Sequence, residues 1–473
     1  MREVDWDAVI DTAMAAARSY LESLPERPVW RDAGADVIRK ALGAGRVPEH
    51  GRPAHEVVAD LGRDLEPHVT AMNSGRFFGF VIGGLHPASY GADLLTATWD
   101  QNAGLYSPTP GATVAEEIAA EWLVEILDLP SHSSVGFVTS GQMATFTCLA
   151  AGRDQVLRES GWDVETDGLQ GAPQVHVVTK TGRHGTVGRA LRFLGLGERA
   201  ATEVSCDQDD RIELAALERE LERIAGPTLV VVEAGNVNTG AFDDFAGVAD
   251  LTDAHRDRGN PTWVHVDGAV GLWARASATH RQVTDGIERL DSWSTDGHKT
   301  LNVSYDSGIA ITRHPAAHRA AMTTRSSYLT ETTGVREPMD YNPEHSRRAR
   351  GIAVYATLRS LGRSGVEELV DRLCDLAVRF ATRLEDSGRA TVVNEVVFNQ
   401  VLVRWEPPSG VDGDDFQDLV MERVAESGEA FFSGTTYHGE RLMRISVSDW
   451  ATDEADVDRA VAALLAAAEQ AGS

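Results

Sequence analysis

Six short apolar runs between residues 135 and 313 alternate with amphipathic helical stretches, and this alternation constrains the fold more than any other feature. The runs are VGFVTS (135–140), QVHVVTK (174–180), TLVVVEA (228–234), TWVHVDGA (262–269), SWSTDG (292–297) and GIAITR (308–313). Strands alternating with helices predict an α/β fold with a mostly parallel sheet covered on both faces. Ligands of such sheets sit beyond the strand C-termini, so the residues just after each run are the ones to inspect.

The flanks read differently. Residues 5–70 carry a helical pattern broken by Pro and Gly near 25–34 and 43–53. Residues 76–111, including RFFGFVIGGLHPASYG, are rich in Gly, Pro and aromatics and read as an irregular, site-lining stretch. Beyond 345 a helical pattern (346–386) precedes the strand stretches TVVNEVVFNQVLVRW and RLMRISVS, then the amphipathic DEADVDRAVAALLAAAEQ. The expected organisation is an N-terminal helical segment (1–100), a large α/β domain (101–345) and a smaller α+β domain (346–473).

Charge and cysteine usage narrow the function. Asp and Glu number 72 against 44 Lys and Arg, a net charge of −28. Such a surface repels nucleic acid and anionic lipid. No apolar run approaches the ~20 residues that cross a bilayer. The acidic amphipathic N-terminus lacks the basic start and cleavage site of a signal peptide. Cys148, Cys206 and Cys374 are too sparse for a disulfide framework or a zinc site, which suits a reducing cytoplasm. No metal, nucleic acid or membrane partner is expected.

Only three of the 44 basic residues are lysine: Lys40, Lys180 and Lys299. Where arginine serves as the general cation, a retained lysine stands out, because arginine cannot act as an amine nucleophile. Lys299, in DGHKTLN, follows one predicted strand, and Asp267, in HVDGAVGLW, ends the strand before it. TSGQMAT (139–145) opens a helix whose free N–H groups suit a phosphate. His184 and GNVNTG (235–240) lie at further strand ends. Singly these are a loop cation, helix caps and turns. Together they are the parts of a pyridoxal-phosphate site: a lysine for the Schiff base, a carboxylate for the ring nitrogen, a phosphate cradle and a stacking imidazole.

The stretches FFGFVIGGLHP, TSGQMATFTCLAAGRD, HGTVGRALRFLGLG, GNVNTGAFD, HVDGAVGLW, DGHKTLNVSYDSG and SRRARGIAVYATLRSLGR cover most of residues 70–365. They resemble the group II pyridoxal-phosphate-dependent amino-acid decarboxylases, and RISVSDW with the terminal helix also fits. The resemblance implies fold type I of the pyridoxal-phosphate-dependent transferases, with a seven-stranded sheet in the large domain. It implies pyridoxal 5′-phosphate as cofactor and decarboxylation of an L-amino acid to the amine and carbon dioxide. A homodimer with shared active sites is implied too, the N-terminal segment wrapping the partner.

Residue by residue, the resemblance implies Lys299 as the Schiff-base lysine, Asp267 as the pyridinium partner and His184 as the stacking base. Ala269 would meet the other ring face. Gly141 and Gln142 would line the phosphate cradle, where relatives often carry a small hydroxyl residue. Asp296 and His298 would approach the phosphate or position the lysine, and Asn238 would lie in the turn near the cofactor. Tyr328, in TTRSSYLTETTGVREP, would return a proton to carbon after carbon dioxide leaves; phenylalanine there is typical of aldehyde synthases.

The pocket departs from the aromatic-acid enzymes. Thr300 stands where many relatives have Trp, Gly79 and Ile82 replace an aromatic and a hydroxyl residue, and Asn102 stands where a partner phenylalanine is offered. Phe78, Phe80, His86 and Tyr305 remain as expected walls for an apolar or aromatic side chain. Arg444, in LMRISVS, resembles the carboxylate-binding arginine of fold type I aminotransferases. The alternative reading is another reaction on the same cofactor: decarboxylative oxidation to an aldehyde, decarboxylative condensation or C–C lysis.

Overall fold

The computed structural model describes residues 5–43, 45–323 and 334–472. Seven strands form the central sheet: β1 (Ser134–Val138), β2 (His176–Lys180), β3 (Ala201–Val204), β4 (Thr228–Glu233), β5 (Thr262–Asp267), β6 (Ser292–Asp296) and β7 (Gly308–Thr312). Their order is β1-β7-β6-β5-β4-β2-β3. The pairs β3–β2, β2–β4, β4–β5 and β5–β6 are parallel, while β7 lies antiparallel between β6 and β1. The seven strands match the sheet that the resemblance implies.

Burial on both faces explains the unbroken apolar runs. Along β4, Val230 and Val232 join one hydrophobic cluster with Val264 and Val266. Leu229 and Val231 point the other way, into a cluster with Val177 and Trp263. Every residue of β4 and β5 is buried. Helix Gly141–Glu159 starts at Ser140, whose hydroxyl accepts the Met143 N–H at 3.3 Å.

A second sheet, order β10-β11-β9-β8, is antiparallel and built from β8 (Ala390–Val392), β9 (Gln400–Trp405), β10 (Ser433–Tyr437) and β11 (Glu440–Ser446). Helices Gly413–Ser427 and Glu454–Ala471 share its hydrophobic core. The helical stretch Gly351–Asp386 breaks at Gly362, whose φ of +66° is non-helical and suits glycine. Val354 and Leu358 before the break join the large cluster, as do Val366, Val370 and Cys374 beyond it, while Leu369, Leu373, Leu376, Phe380 and Leu384 join the small one.

Residues 76–78 stitch the N-terminal segment to the small sheet. Phe78 N–H donates to the Phe431 carbonyl at 2.8 Å, and Ser446 N–H donates to the Phe78 carbonyl at 3.0 Å. The buried Arg76 guanidinium donates to the carbonyls of Glu429, Pro25 and Arg27 at 2.6, 3.1 and 2.9 Å. By contrast, helices Trp6–Ser23, Ala35–Ala41 and Ala54–Asp64 bury no residue fully. Among the described residues no helix is long and apolar enough to cross a membrane.

Candidate active site

Four neighbouring strands each end in a charged residue: Lys180 on β2, Glu233 on β4, Asp267 on β5 and Asp296 on β6. Above these ends a cavity is lined by Lys299, Asp267, Asp296, Glu233, His184, Gly141, Gln142 and Ala269. Most residues expected at the cofactor therefore meet in one place.

Lys299 lies in the turn after β6, and its Nζ sits 3.1 Å from Asp296 Oδ2. Oδ1 of the same carboxylate accepts the Gly141 N–H at 2.5 Å. A Cβ on residue 141 would lie 2.5 Å from Asp296 Oδ2, so only glycine lets the helix start come this close. One N–H of the expected phosphate cradle is thus already held by a carboxylate. His298 Nε2 lies 3.4 Å from Asp296 Oδ1, while its Nδ1 accepts the Ser307 N–H at 3.1 Å. That bond leaves the proton of neutral His298 on Nε2, facing Asp296. Burial pushes the His298 pKa down and favours this neutral form.

Asp267 is buried, and its carboxylate accepts the Ala269 N–H at 3.2 Å. No ion pair closes on it among the described residues. Burial and the neighbouring Glu233 push its pKa up; His184 and Lys299 pull it down. A buried carboxylate that faces the cavity and closes no ion pair of its own is a fit for a protonated ring nitrogen. His184 caps helix Gly185–Phe193, its Nδ1 lying 2.8 Å from Thr186 Oγ1. Gln142 Oε1 accepts from Arg189 Nη1 at 3.1 Å, which brings a guanidinium beside the helix start.

The structure separates the expected wall residues from this cavity. Phe78 is fully buried in the small core, 4.8 Å edge-on from Phe380 and 5.4 Å stacked on Phe432. Phe80 is exposed, its φ of +61° turning it away from Phe78. His86 caps helix Pro87–Trp99, with Nδ1 accepting the Ala88 N–H at 3.2 Å. Asn102 holds the 346–347 segment: its Oδ1 accepts the Arg347 N–H at 3.1 Å. Tyr305 stacks on His298 at 4.1 Å. Asn238 sits at the edge, accepting from Thr435 Oγ1 at 3.0 Å and Arg444 Nη1 at 3.5 Å. Tyr328 lies outside the described residues.

Arg444, on β11, is buried and donates to the Val237 carbonyl at 3.2 Å. Its Nε has no hydrogen-bond partner, and no carboxylate pairs with it, among the described residues. Burial alone pulls its pKa down. Val237 itself lines the cavity, so this uncompensated cation adjoins the site.

Sequence reasoning passed over Glu233, Thr186 and Val270 and took Gly235 and Val237 only as part of the GNVNTG turn; all five line the cavity. Glu233 carries the same signal as Asp267, an acid ending an apolar strand, and was findable on that ground.

A family model described as the pyridoxal-dependent decarboxylase conserved domain matches residues 39–406. The chain is 25% identical over 437 residues to an aromatic-L-amino-acid decarboxylase of Bacillus atrophaeus, covering 90% of this chain and 88% of the relative. It is 24% identical over 455 residues to a 4-hydroxyphenylacetaldehyde synthase of Rhodiola rosea, covering 93% and 90%. The crystal structure of Oryza sativa TDC with PLP and tryptamine superposes with a TM-score of 0.90 at 23% identity, over 100% of both chains.

Proposed function

The chain belongs to the pyridoxal-dependent decarboxylase family, and from that premise we propose that it removes the carboxylate of an L-amino acid with an apolar or aromatic side chain, releasing the amine. The carrying observation is the convergence of Lys299, Asp267 and His184 on one cavity at the strand ends. The family's cofactor is pyridoxal 5′-phosphate. When bound, it supplies an aldehyde that captures the substrate amine and a ring that accepts the electrons left by carbon dioxide.

The protein's own groups divide the remaining work. Lys299 Nζ, held by Asp296, offers the amine that links to the cofactor. Asp267 would hold a proton on the ring nitrogen. His184 and Ala269 would hold the ring from its two faces, and Gln142 with the helix start at Gly141 would receive the phosphate once Asp296 releases the Gly141 N–H. His298 fixes the orientation of Asp296. Tyr328 donates the proton to carbon, a role that rests on the resemblance. Arg444 draws the anionic end of the substrate toward the domain junction. Its grip has to stay weak, because ground-state stabilisation of the carboxylate opposes its loss.

Apolar lining by Ala269, Val237 and Val270 supports the substrate class, as does the name of the Bacillus atrophaeus relative. The synthase name of the Rhodiola rosea relative supports a second reading, oxidation to an aldehyde. We further propose a homodimer with shared sites, built on the N-terminal segment. Trp6, Ile10, Leu61, Leu95 and Trp99 are exposed there, an apolar surface that suits a partner. We also propose the organisation into a segment 1–100, a cofactor domain 101–345 and a small domain 346–473; the seven-stranded sheet within the second and the four-stranded sheet within the third support it. Three free cysteines suit a cytoplasmic site of action.

Incubating cofactor-loaded protein with an amino-acid panel in air, then analysing products by mass spectrometry, tests the reading. An amine lighter than its parent by carbon dioxide is expected. An aldehyde with released ammonia selects the second reading. A stable monomer in sedimentation overturns the dimer.

A further inference from the structure

Of the three lysines, Lys180 has no part in the chemistry above, yet it lies beneath the same cavity. It ends β2, is 3% exposed, and places Nζ 2.6 Å from Glu233 Oε2 and 2.5 Å from the Asp210 carbonyl. Glu233 ends the adjacent strand and is the register partner of Asp267 on β5. Asn236 Nδ2 donates to the same Glu233 Oε2 at 3.0 Å. The sheet therefore carries a row of charges, Lys180, Glu233 and Asp267, with the last two opening on the cavity.

Two carboxylates side by side in a buried row repel, and burial multiplies the effect. A buried ammonium on the far side of Glu233 offsets that cost. We propose that Glu233 and Lys180 are positioning residues for the cofactor ring: Glu233 adds a second negative charge beneath the ring nitrogen held by Asp267, and Lys180 fixes Glu233 and limits its effect. This rests on the ring nitrogen lying at Asp267.

Other charges face the row. Asp243 accepts the N–H of Glu233 at 2.7 Å, and Asp210 and Cys206 adjoin Lys180. Tyr437 and His438 lie beyond Asp210. His184 and Lys299 face Asp267 across the cavity. Burial lowers the proton affinity of Lys180, but Glu233 and Asp243 outweigh it, and the ammonium form is held. Among the described residues Glu233 bridges this lower group to Asp267.

The test is the pH at which the visible absorbance of protein loaded with pyridoxal 5′-phosphate titrates. The midpoint belongs to the nitrogen that links Lys299 to the cofactor, which is conjugated with the ring; removing a negative charge beneath the ring disfavours that proton, so E233Q lowers the midpoint by about 1 pH unit. K180M removes a positive charge and raises it by about as much. The double variant K180M/E233Q returns close to the original value. Equal midpoints in all three variants, with only thermal stability altered, would reduce the pair to a structural ion pair and overturn the proposal. Should K180M fail to fold, E233Q and the double variant still decide the question. D267N separates the premises: if it too leaves the midpoint unmoved, the placement of the ring fails; if it alone moves it, only the role of Glu233 and Lys180 fails.

Discussion

Asp296 ties Lys299 to the start of helix Gly141–Glu159: one oxygen lies 3.1 Å from Nζ and the other accepts the Gly141 N–H at 2.5 Å. The lysine is thus held to the same helix end that would receive the phosphate. K299A removes the amine and is expected to lower turnover at least ~10³-fold, with no lysine–cofactor adduct after borohydride reduction and mass spectrometry. D296A retains the amine but frees it, and slows adduct formation about tenfold. Adduct formation at the original rate in D296A would show that the ion pair does not position the lysine.

Gly83 links the irregular 76–111 stretch to the lysine turn. Its N–H donates to the His298 carbonyl at 3.2 Å, and a Cβ there would lie 2.1 Å from the Lys299 carbonyl oxygen. Backbone on both sides leaves nothing flexible to yield. G83A is therefore expected to cost about 1–3 kcal/mol of stability in urea titration. Cofactor affinity should fall with it, since the displaced atoms carry Lys299.

Arg444 gives a prediction of opposite sign for stability and binding. A buried guanidinium without a carboxylate partner is costly to the free protein. R444M is expected to raise stability by about 1 kcal/mol and KM by ~10-fold or more, leaving kcat within a few-fold. A loss of stability with unchanged KM would make Arg444 a structural strut.

Among the described residues Glu116 and Arg347 form the most buried ion pair, at 0% and 1% side-chain exposure, with Nη1 2.9 Å from Oε1 and Nη2 2.5 Å from Oε2. Gly351 N–H also donates to Oε1 at 3.3 Å, so the pair fixes the start of the inter-domain helix. E116Q leaves an uncompensated buried cation, and a loss of about 3–5 kcal/mol is expected in chemical denaturation. The double variant E116L/R347M should recover most of it.

Much of the architecture was legible because buried parallel strands are written as unbroken apolar runs. All six predicted runs became strands. Strands β3 and β10 were missed: ATEV and SGTTY are short and only partly buried, so no apolar run marks them. The polar site was legible for a related reason, since a charged residue ending a buried apolar strand is costly unless a partner or a ligand meets it. The walls were not. In FFGFV the direction of each side chain depends on positive φ at Phe80 (+61°) and Val81 (+59°), a conformation these residue types disfavour. Phe78 consequently turned into the small core, which no periodicity in that stretch indicates.

Buried histidines set the acid limit of the fold. His265 on β5 and His318 are fully buried, and burial pushes both pKa values down to about 3. His265 Nδ1 lies 3.0 Å from Ser292 Oγ, and His318 Nδ1 2.9 Å from Ser134 Oγ, partners that serve a neutral ring. Unfolding releases each to its ordinary value near 6.5, so the unfolded chain binds more protons as pH falls below that point. The stability they support is fully present above pH ~6.5 and drains away toward pH ~3. Each histidine contributes a slope of about 1.4 kcal/mol per pH unit in the middle of this window, and together about 2.7. Urea titrations between pH 7 and 4 measure it. H318Q keeps a hydrogen-bonding side chain that does not titrate, and its stability should fall less steeply with acid by about 1.4 kcal/mol per unit. A slope unchanged by H318Q would show that His318 takes its proton within the folded state.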